Sequence, residues 1–217
     1  MTCLTLTSAG LPKRELRGLL SWFTCLTQFH LDCSPADEYV ELYETRDGTY
    51  DPQAFVGILW PQRECLRDVQ LSVKYVGGVE PCPQTTGRAF QSFGKLERLS
   101  MPLAMLMPYQ GLHYKNGVGA HCPKRFPVEE IIPPHLKALE LRTETGESSF
   151  EFRSDNDDSG EPTTCAIELL EWLSALRGRH VVLVYDDERA PPSDEWLKSL
   201  RQNLAEDGSS LELRLMY

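Results

Sequence analysis

The sequence predicts an α/β solenoid in which short, mainly parallel strands alternate with helices or loops along one side. Three observations predict it. An apolar pattern at i, i+3 and i+5 recurs along the chain, at Met1/Leu4/Leu6, Leu26/Phe29/Leu31, Leu66/Val69/Leu71, Leu96/Leu99/Met101 and Leu136/Leu139/Leu141. Stripes of apolar residues at helical spacing separate several of the copies. Segments 34–50, 77–87, 108–127 and 153–164, rich in Gly, Pro, Ser and charge, lie between copies and read as surface loops.

The last two apolar residues of each copy are two apart, so both side chains leave a strand on one face and the residue between them points to the other. Each copy is therefore a short strand with one buried side. Toward the C-terminus the pattern loosens into the continuous run Val181 to Tyr185 and the strict alternation Leu211/Leu213/Leu215. Between copies, Leu16, Leu19, Leu20 and Phe23 form one helical stripe. Asp51-Pro52 suits an N-cap followed by proline at the first helical position, with Phe55, Ile58 and Leu59 on one face behind it. Ala166, Leu169, Leu170 and Leu173 repeat the stripe, and Ser193 can cap a last helix carrying Leu197, Leu200 and Leu204. Strands joined through helices favour parallel pairing.

The five clear copies begin at residues 1, 26, 66, 96 and 136, intervals of 25, 40, 30 and 40 residues. A regular leucine-rich repeat runs at about 20–29 residues, so the fold class expected is an irregular leucine-rich-repeat solenoid with insertions, and residues 1–217 are read as a single domain. The phrases FTCLTQFHL (23–31), FGKLERLSMP (93–102) and IPPHLKALELR (132–142) resemble the leucine-rich-repeat region of fungal F-box-type proteins. The resemblance covers the repeat region only; no F-box is visible, and the Asn or Cys that usually ends the repeat is missing from most copies. It implies a curved parallel sheet whose concave face recruits a protein target, and, where an F-box segment exists, a Skp-type adaptor and a cullin-type ubiquitin ligase.

On that reading the residues between the apolar strand positions line the exposed face. They are Gln28 and His30, Asp68 and Gln70, Arg98 and Ser100, and Glu140 and Arg142. This mixed-charge polar stripe suits specific recognition of a protein, although an ordinary solvated sheet face has the same composition. Val182 and Val184 break the rule, so a loop or a partner is expected to cover the face there.

Charge and composition exclude other classes. The net charge of −10 falls entirely in residues 140–217, which hold 8 Lys/Arg and 18 Asp/Glu; residues 1–139 hold 14 of each. An acidic C-terminal third repels phosphate backbones, which argues against nucleic acid and leaves a basic protein as one conceivable partner. No apolar run approaches the ~20 residues needed to span a bilayer, and the first residues lack the layout of a signal peptide. The seven cysteines are odd in number and scattered, which argues against a disulfide framework and, with the lack of a signal peptide, for an intracellular, reducing location, cytoplasmic or nuclear.

No motif reaches a catalytic or metal site, so no cofactor and no enzyme activity is expected. The strand-then-acid run Val181 to Glu188 has the form of a Walker B segment, but no G-x-x-x-x-G-K-[ST] loop accompanies it. Asp155, Asp157, Ser159 and Gly160 open like an EF-hand loop, yet the position of its bidentate acid falls on Ala166. His113, His121, Cys122 and Cys82 fit no zinc spacing. Gly146-Glu147-Ser148-Ser149-Phe150 lacks the second glycine of a nucleophile elbow, and the five histidines (His30, His113, His121, His135, His180) are dispersed. The rival readings are a small α/β enzyme on a doubly wound sheet, with its site near Asp186 to Glu188, and a truncated relative without a retained activity. Strand order separates the first rival, because a doubly wound sheet must reverse its order once.

Overall fold

In the computed structural model the described residues form seven strands that lie side by side, each parallel to its neighbours and in their order along the chain. The structure describes residues 2–7, 13–32, 52–72, 90–102, 131–143, 173, 175–185, 194–206 and 208–215. The strands are β1 (Cys3–Thr7), β2 (Gln28–Asp32), β3 (Asp68–Ser72), β4 (Arg98–Pro102), β5 (Ala138–Thr143), β6 (His180–Tyr185) and β7 (Ser210–Leu215). Helix α1 (Lys13–Ser21) connects β1 to β2, and α2 (Pro52–Leu59) runs into a 3-10 turn (Trp60–Gln62) before β3. Helix α3 (Asp194–Glu206) connects β6 to β7. Among the described residues the strand order contains no reversal point, which a doubly wound sheet requires.

The recurring apolar pattern sets this arrangement residue by residue. Neighbouring copies align without slippage: Leu4 pairs with Phe29, Phe29 with Val69, Val69 with Leu99, Leu99 with Leu139, Leu139 with Val181 and Val181 with Leu211. A slip of one residue would turn every such side chain to water, so the burial itself fixes the register. Pro102 brings no N–H to the ladder, and the β3–β4 pairing ends two residues before it, at Gln70 and Ser100.

All the described helices back one face. Leu16 and Leu20 of α1, Phe55, Ile58 and Leu59 of α2, and Leu197, Leu200 and Leu204 of α3 share one buried cluster with the inward strand residues. The Phe29 and Phe55 rings, 6.4 Å apart, join sheet to helix directly. The first apolar residue of each pattern is not on the strand. Leu26, Leu66, Leu96 and Leu136 are buried in the turn that leads into it. In three repeats that turn closes on the same bond: the N–H of Leu96, Leu136 and Leu176 donates to the carbonyl of Phe93, Pro133 and Leu173. Of the helical stripe expected over residues 166–173, Leu173 alone is described, and it is buried. The expected loops 34–50, 77–87, 108–127 and 153–164 and the acids at 186–188 lie outside the described residues.

Polar side chains lock one repeat to the next. Gln62 is buried; Leu26 N–H donates to its Oε1 (2.9 Å), and its Nε2 donates to the carbonyls of Phe23 (2.7 Å) and Leu20 (3.2 Å). Buried Ser209 donates to the Leu176 carbonyl and accepts from Arg179 N–H (3.2 Å). His135 Nε2 lies 3.2 Å from the Phe93 carbonyl, a bond that requires the proton on that nitrogen. In each case the later repeat satisfies backbone groups of the preceding turn, which would otherwise be costly to bury.

One expectation is corrected. Cys25 and Cys65 form a disulfide, with Cα atoms 5.5 Å apart, within the usual range for a cystine. Each stands three residues before a strand, β2 and β3, so in-register pairing of those strands brings the two together. An odd total does not bear on this, because phase within the repeat decides which cysteines meet.

Candidate functional site

The face of the sheet opposite the helices carries all eight residues read as its polar stripe. Strand alternation puts them there: their neighbours along each strand point into the core, and they do not. Register then arranges them in rows. Gln28, Asp68 and Arg98 form one row at the amino ends of the strands. His30, Gln70, Ser100 and Glu140 form the middle row, and Arg142 stands one row further on. Gln28, Gln70 and Ser100 are half-buried, and Arg98 is exposed.

Two carboxylates organise these rows. Asp68, 13% exposed, receives Arg98 Nη2 at 2.5 Å and stands 3.5 Å from His30 Nε2. Glu140 is the hub of the second group. Its Oε1 accepts from Ser100 Oγ (2.8 Å) and from Nε and Nη2 of Arg142 (2.9 and 2.7 Å), while Arg214 Nη1 lies 3.3 Å from its Oε2. Arg142 Nη1 also reaches back across β4 to Ser72 Oγ (3.5 Å). Neighbouring strands stand about 4.8 Å apart, so the Arg214–Glu140 pair, from β7 to β5, spans the whole width of β6. Beneath that span lie Val182 and Val184, only 4% and 5% exposed although they face away from the helical core. The sequence leads one to expect a loop or a partner over these valines; among the described residues, what crosses their strand is this ion pair.

Further groups, outside the eight residues read from the sequence, join the stripe. On β6 and β7, His180 Nδ1 lies 2.8 Å from Ser210 Oγ, its Nε2 lies 3.5 Å from Glu212, and Arg214 Nε donates to Glu212 at 2.7 Å. The Arg214 bond holds the Glu212 carboxyl below its ordinary value, helped by the nearby His180, and Glu212 in turn raises Arg214. Another row sits one residue before the strands, where Glu97 bonds Lys137 and Arg67, each at 3.1 Å. Lys137 first, then Arg67, lowers the Glu97 carboxyl. The strict alternation of Leu211, Leu213 and Leu215 already marks Glu212 and Arg214 as outward; the row before the strands has no apolar period to reveal it.

The rows meet at a cavity of about 420 Å³ lined by Thr27, Gln28, Arg67, Asp68, Glu97 and Arg98. These are the last residue before, and the first residue of, strands β2, β3 and β4. It therefore opens at the amino ends of the strands, opposite to the end where open α/β sheets bind their ligands. Its walls offer two guanidinium groups, two carboxylates, an amide and a hydroxyl. Such a surface exchanges hydrogen bonds and charges with a partner, and no nucleophile paired with a base stands among the lining residues.

The segments Asp155 to Gly160, His113 to Cys122 and Gly146 to Phe150 lie outside the described residues. Among the described residues no group of three or more His, Cys, Asp or Glu could hold a metal ion, and no helix is long and apolar enough to cross a membrane. No family model matches the chain, and no curated protein or solved structure shows significant similarity to it.

Proposed function

We propose that this chain is a leucine-rich-repeat-type solenoid that binds another protein across the open face of its sheet. The observation that carries the reading is the shared register that sets outward polar residues side by side over four adjacent parallel strands, most completely in the row His30, Gln70, Ser100 and Glu140. It makes one continuous surface whose charges alternate in sign. A partner with both acidic and basic groups fits it better than a polyanion does, because each arginine already faces a carboxylate. The polar residues supply specificity, and the half-buried ones lose little entropy on contact. A sharper form of the proposal, resting on resemblance in the repeat phrases, is that the chain is the substrate-recognition part of an F-box-type ubiquitin ligase receptor.

Site-specific photo-crosslinking tests the first reading. A crosslinker at Gln70, on the open face, is expected to trap a partner in cells that the same crosslinker at exposed Lys198, on α3, does not trap. Equal yields at the two positions overturn it. Co-purification of the chain under its native upstream sequence tests the sharper form: a Skp-type adaptor and a cullin are expected, and a reproducible partner without the adaptor overturns the ligase link alone.

A further inference from the structure

We propose that Cys25 and Cys65 form a reversible redox clamp that fixes two walls of the cavity at the amino ends of β2 and β3. The proposal deepens the binding-face reading and rests on it for its biological meaning, though not for its chemistry. Four observations carry it.

First, the pair is reachable. Cys25 is exposed and Cys65 half-buried, so the pair lies at the surface, where an external thiolate can approach it, as exchange requires. Second, the geometry does not depend on the bond. Arg67 N–H and Asp68 N–H donate to the Thr27 carbonyl (2.9 and 3.2 Å), and Cys65 N–H donates to the Gln62 carbonyl (2.9 Å). Gln62 in turn holds the turn that contains Cys25, through Phe23 and Leu26. The backbone thus keeps the two cysteines facing each other when the bond opens, and reclosure needs no refolding. Third, the bond joins two repeats across a separation of 40 residues, so it restrains a long loop. Fourth, its position couples it to the cavity. Thr27 and Gln28 follow Cys25 by two and three residues, and Arg67 and Asp68 follow Cys65 likewise; these are four of the six lining residues.

The reaction balances with a disulfide of the glutathione class as oxidant. One thiolate attacks that disulfide and releases one thiol, forming a mixed disulfide. The second cysteine then attacks the protein sulfur and releases the second thiol. Two cysteine thiols are oxidised, one external disulfide is reduced to two thiols, and the two protons end on those thiols. A dithiol reverses the sequence. Closed, the clamp ties the third repeat to the second two residues before the cavity-lining segments. Open, the two walls keep their backbone bonds, their shared core and the Gln62 bonds but lose the covalent tie, and they move more freely.

The test uses the full chain in glutathione buffers of graded ratio, followed by non-reducing peptide mass spectrometry and hydrogen exchange. A Cys25–Cys65 linked peptide is expected in oxidised protein, and its loss on reduction is expected to leave the chain folded. Exchange at Thr27, Gln28, Arg67 and Asp68 is expected to be several-fold slower in the oxidised state. A 40-residue loop predicts a melting temperature higher by roughly 8–16 °C in that state. The Cys25→Ser/Cys65→Ser variant is expected to match reduced protein in both buffers. Absence of the linked peptide, or equal exchange at the four amides in the two states, overturns the proposal. None of these readouts involves a partner, so a failed crosslink at Gln70 and a failed clamp are separate results.

Discussion

Gln62→Ala is the substitution through which the stacking of the repeats can be weighed. Gln62 sits in the turn before β3, yet all three of its described side-chain bonds reach back to the last turn of α1 and the chain between α1 and β2. The bonds to Leu26 N–H and to the Leu20 carbonyl are buried, and the bond to the Phe23 carbonyl is partly so. Truncation leaves these groups unpaired, and a buried unpaired group costs about 1–3 kcal/mol. Because the three share one site, their losses do not simply add; a total of about 2–4 kcal/mol follows for two fully buried groups. That corresponds to a fall in melting temperature of roughly 5–15 °C for a chain of this size, and to a fall of about 1 M in the urea midpoint at unchanged slope. Gln62→Glu separates the donor and acceptor parts: its carboxylate can still accept from Leu26 N–H but meets the two carbonyls without a proton. It should be no better than alanine at neutral pH and should recover part of the loss as the pH falls and the carboxyl gains a donor. The reasoning is refuted if Gln62→Ala lies within about 0.5 kcal/mol of the parent, the range of an ordinary surface change.

Other perturbations probe other links. A double-mutant cycle on Arg214→Ala and Glu140→Gln should give a small favourable coupling that fades with added salt, since Arg214 is 49% exposed and solvent screens the pair; no coupling even at low salt would mean that the span over β6 is decorative. Glu97 and Glu212 have carboxyls lowered in the folded state. Their contribution to stability is therefore complete above the ordinary value of 4.5 and is lost as pH falls through the lower folded values. A carboxyl NMR titration should show both midpoints below 4.5, with that of Glu212 returning toward it in Arg214→Ala. Gly208→Ala should cost about 1 kcal/mol. Gly208 has φ +73° and open space where a Cβ would stand, so the cost is one of backbone alone, and thermal melting would show a small shift without local repacking.

The strands were legible because a two-residue period has one physical meaning: Phe29 and Leu31 must share a face, and His30 must leave it. Once Leu26, Leu66, Leu96 and Leu136 are aligned, the same rule carries over to the rows of the open face, since parallel strands in register stack equivalent residues. Pairing between side chains was not legible. Arg214 meets Glu140 across 74 residues of sequence because β5 and β7 flank β6 and an arginine is long enough to cross it, and neither condition leaves a local signal. Gln62 was equally hidden, because it stands in a 3-10 turn with no apolar period to fix its phase. The cysteine pair was hidden for a different reason. Cys25 and Cys65 are both three residues ahead of a strand, which the repeat pattern reveals, but a count over the whole chain averages that phase away.

The last two repeats depart from the others in one coordinated way, and the departure divides the open face. From Leu26 to Phe29 the step from turn to strand is three residues, and it is three again in the repeats that begin at Leu66, Leu96 and Leu136. From Leu176 to Val181 it is five. Gly178, at φ +66°, and Gly208, at φ +73°, each stand two residues before a strand, where the backbone takes a left-handed conformation that glycine accepts without penalty. The longer step still delivers Val181 and Leu183 to the core in register with Leu139 and Leu141. What changes is the outward side of β6, which carries Val182 and Val184 in place of polar groups and is covered. On β5 to β7 the charges of Glu140, Arg142, Glu212 and Arg214 pair with one another, and the Arg214–Glu140 pair crosses β6, where these two valines are buried. On β2 to β4 nothing of that kind is required of Asp68, Arg98, Arg67 and Glu97, whose pairs border an open cavity. A partner displaces exposed pairs at lower cost than pairs that shield buried valines. Substitutions at Arg98 and Arg67 should for that reason weaken association more per unit of lost stability than substitutions at Arg142.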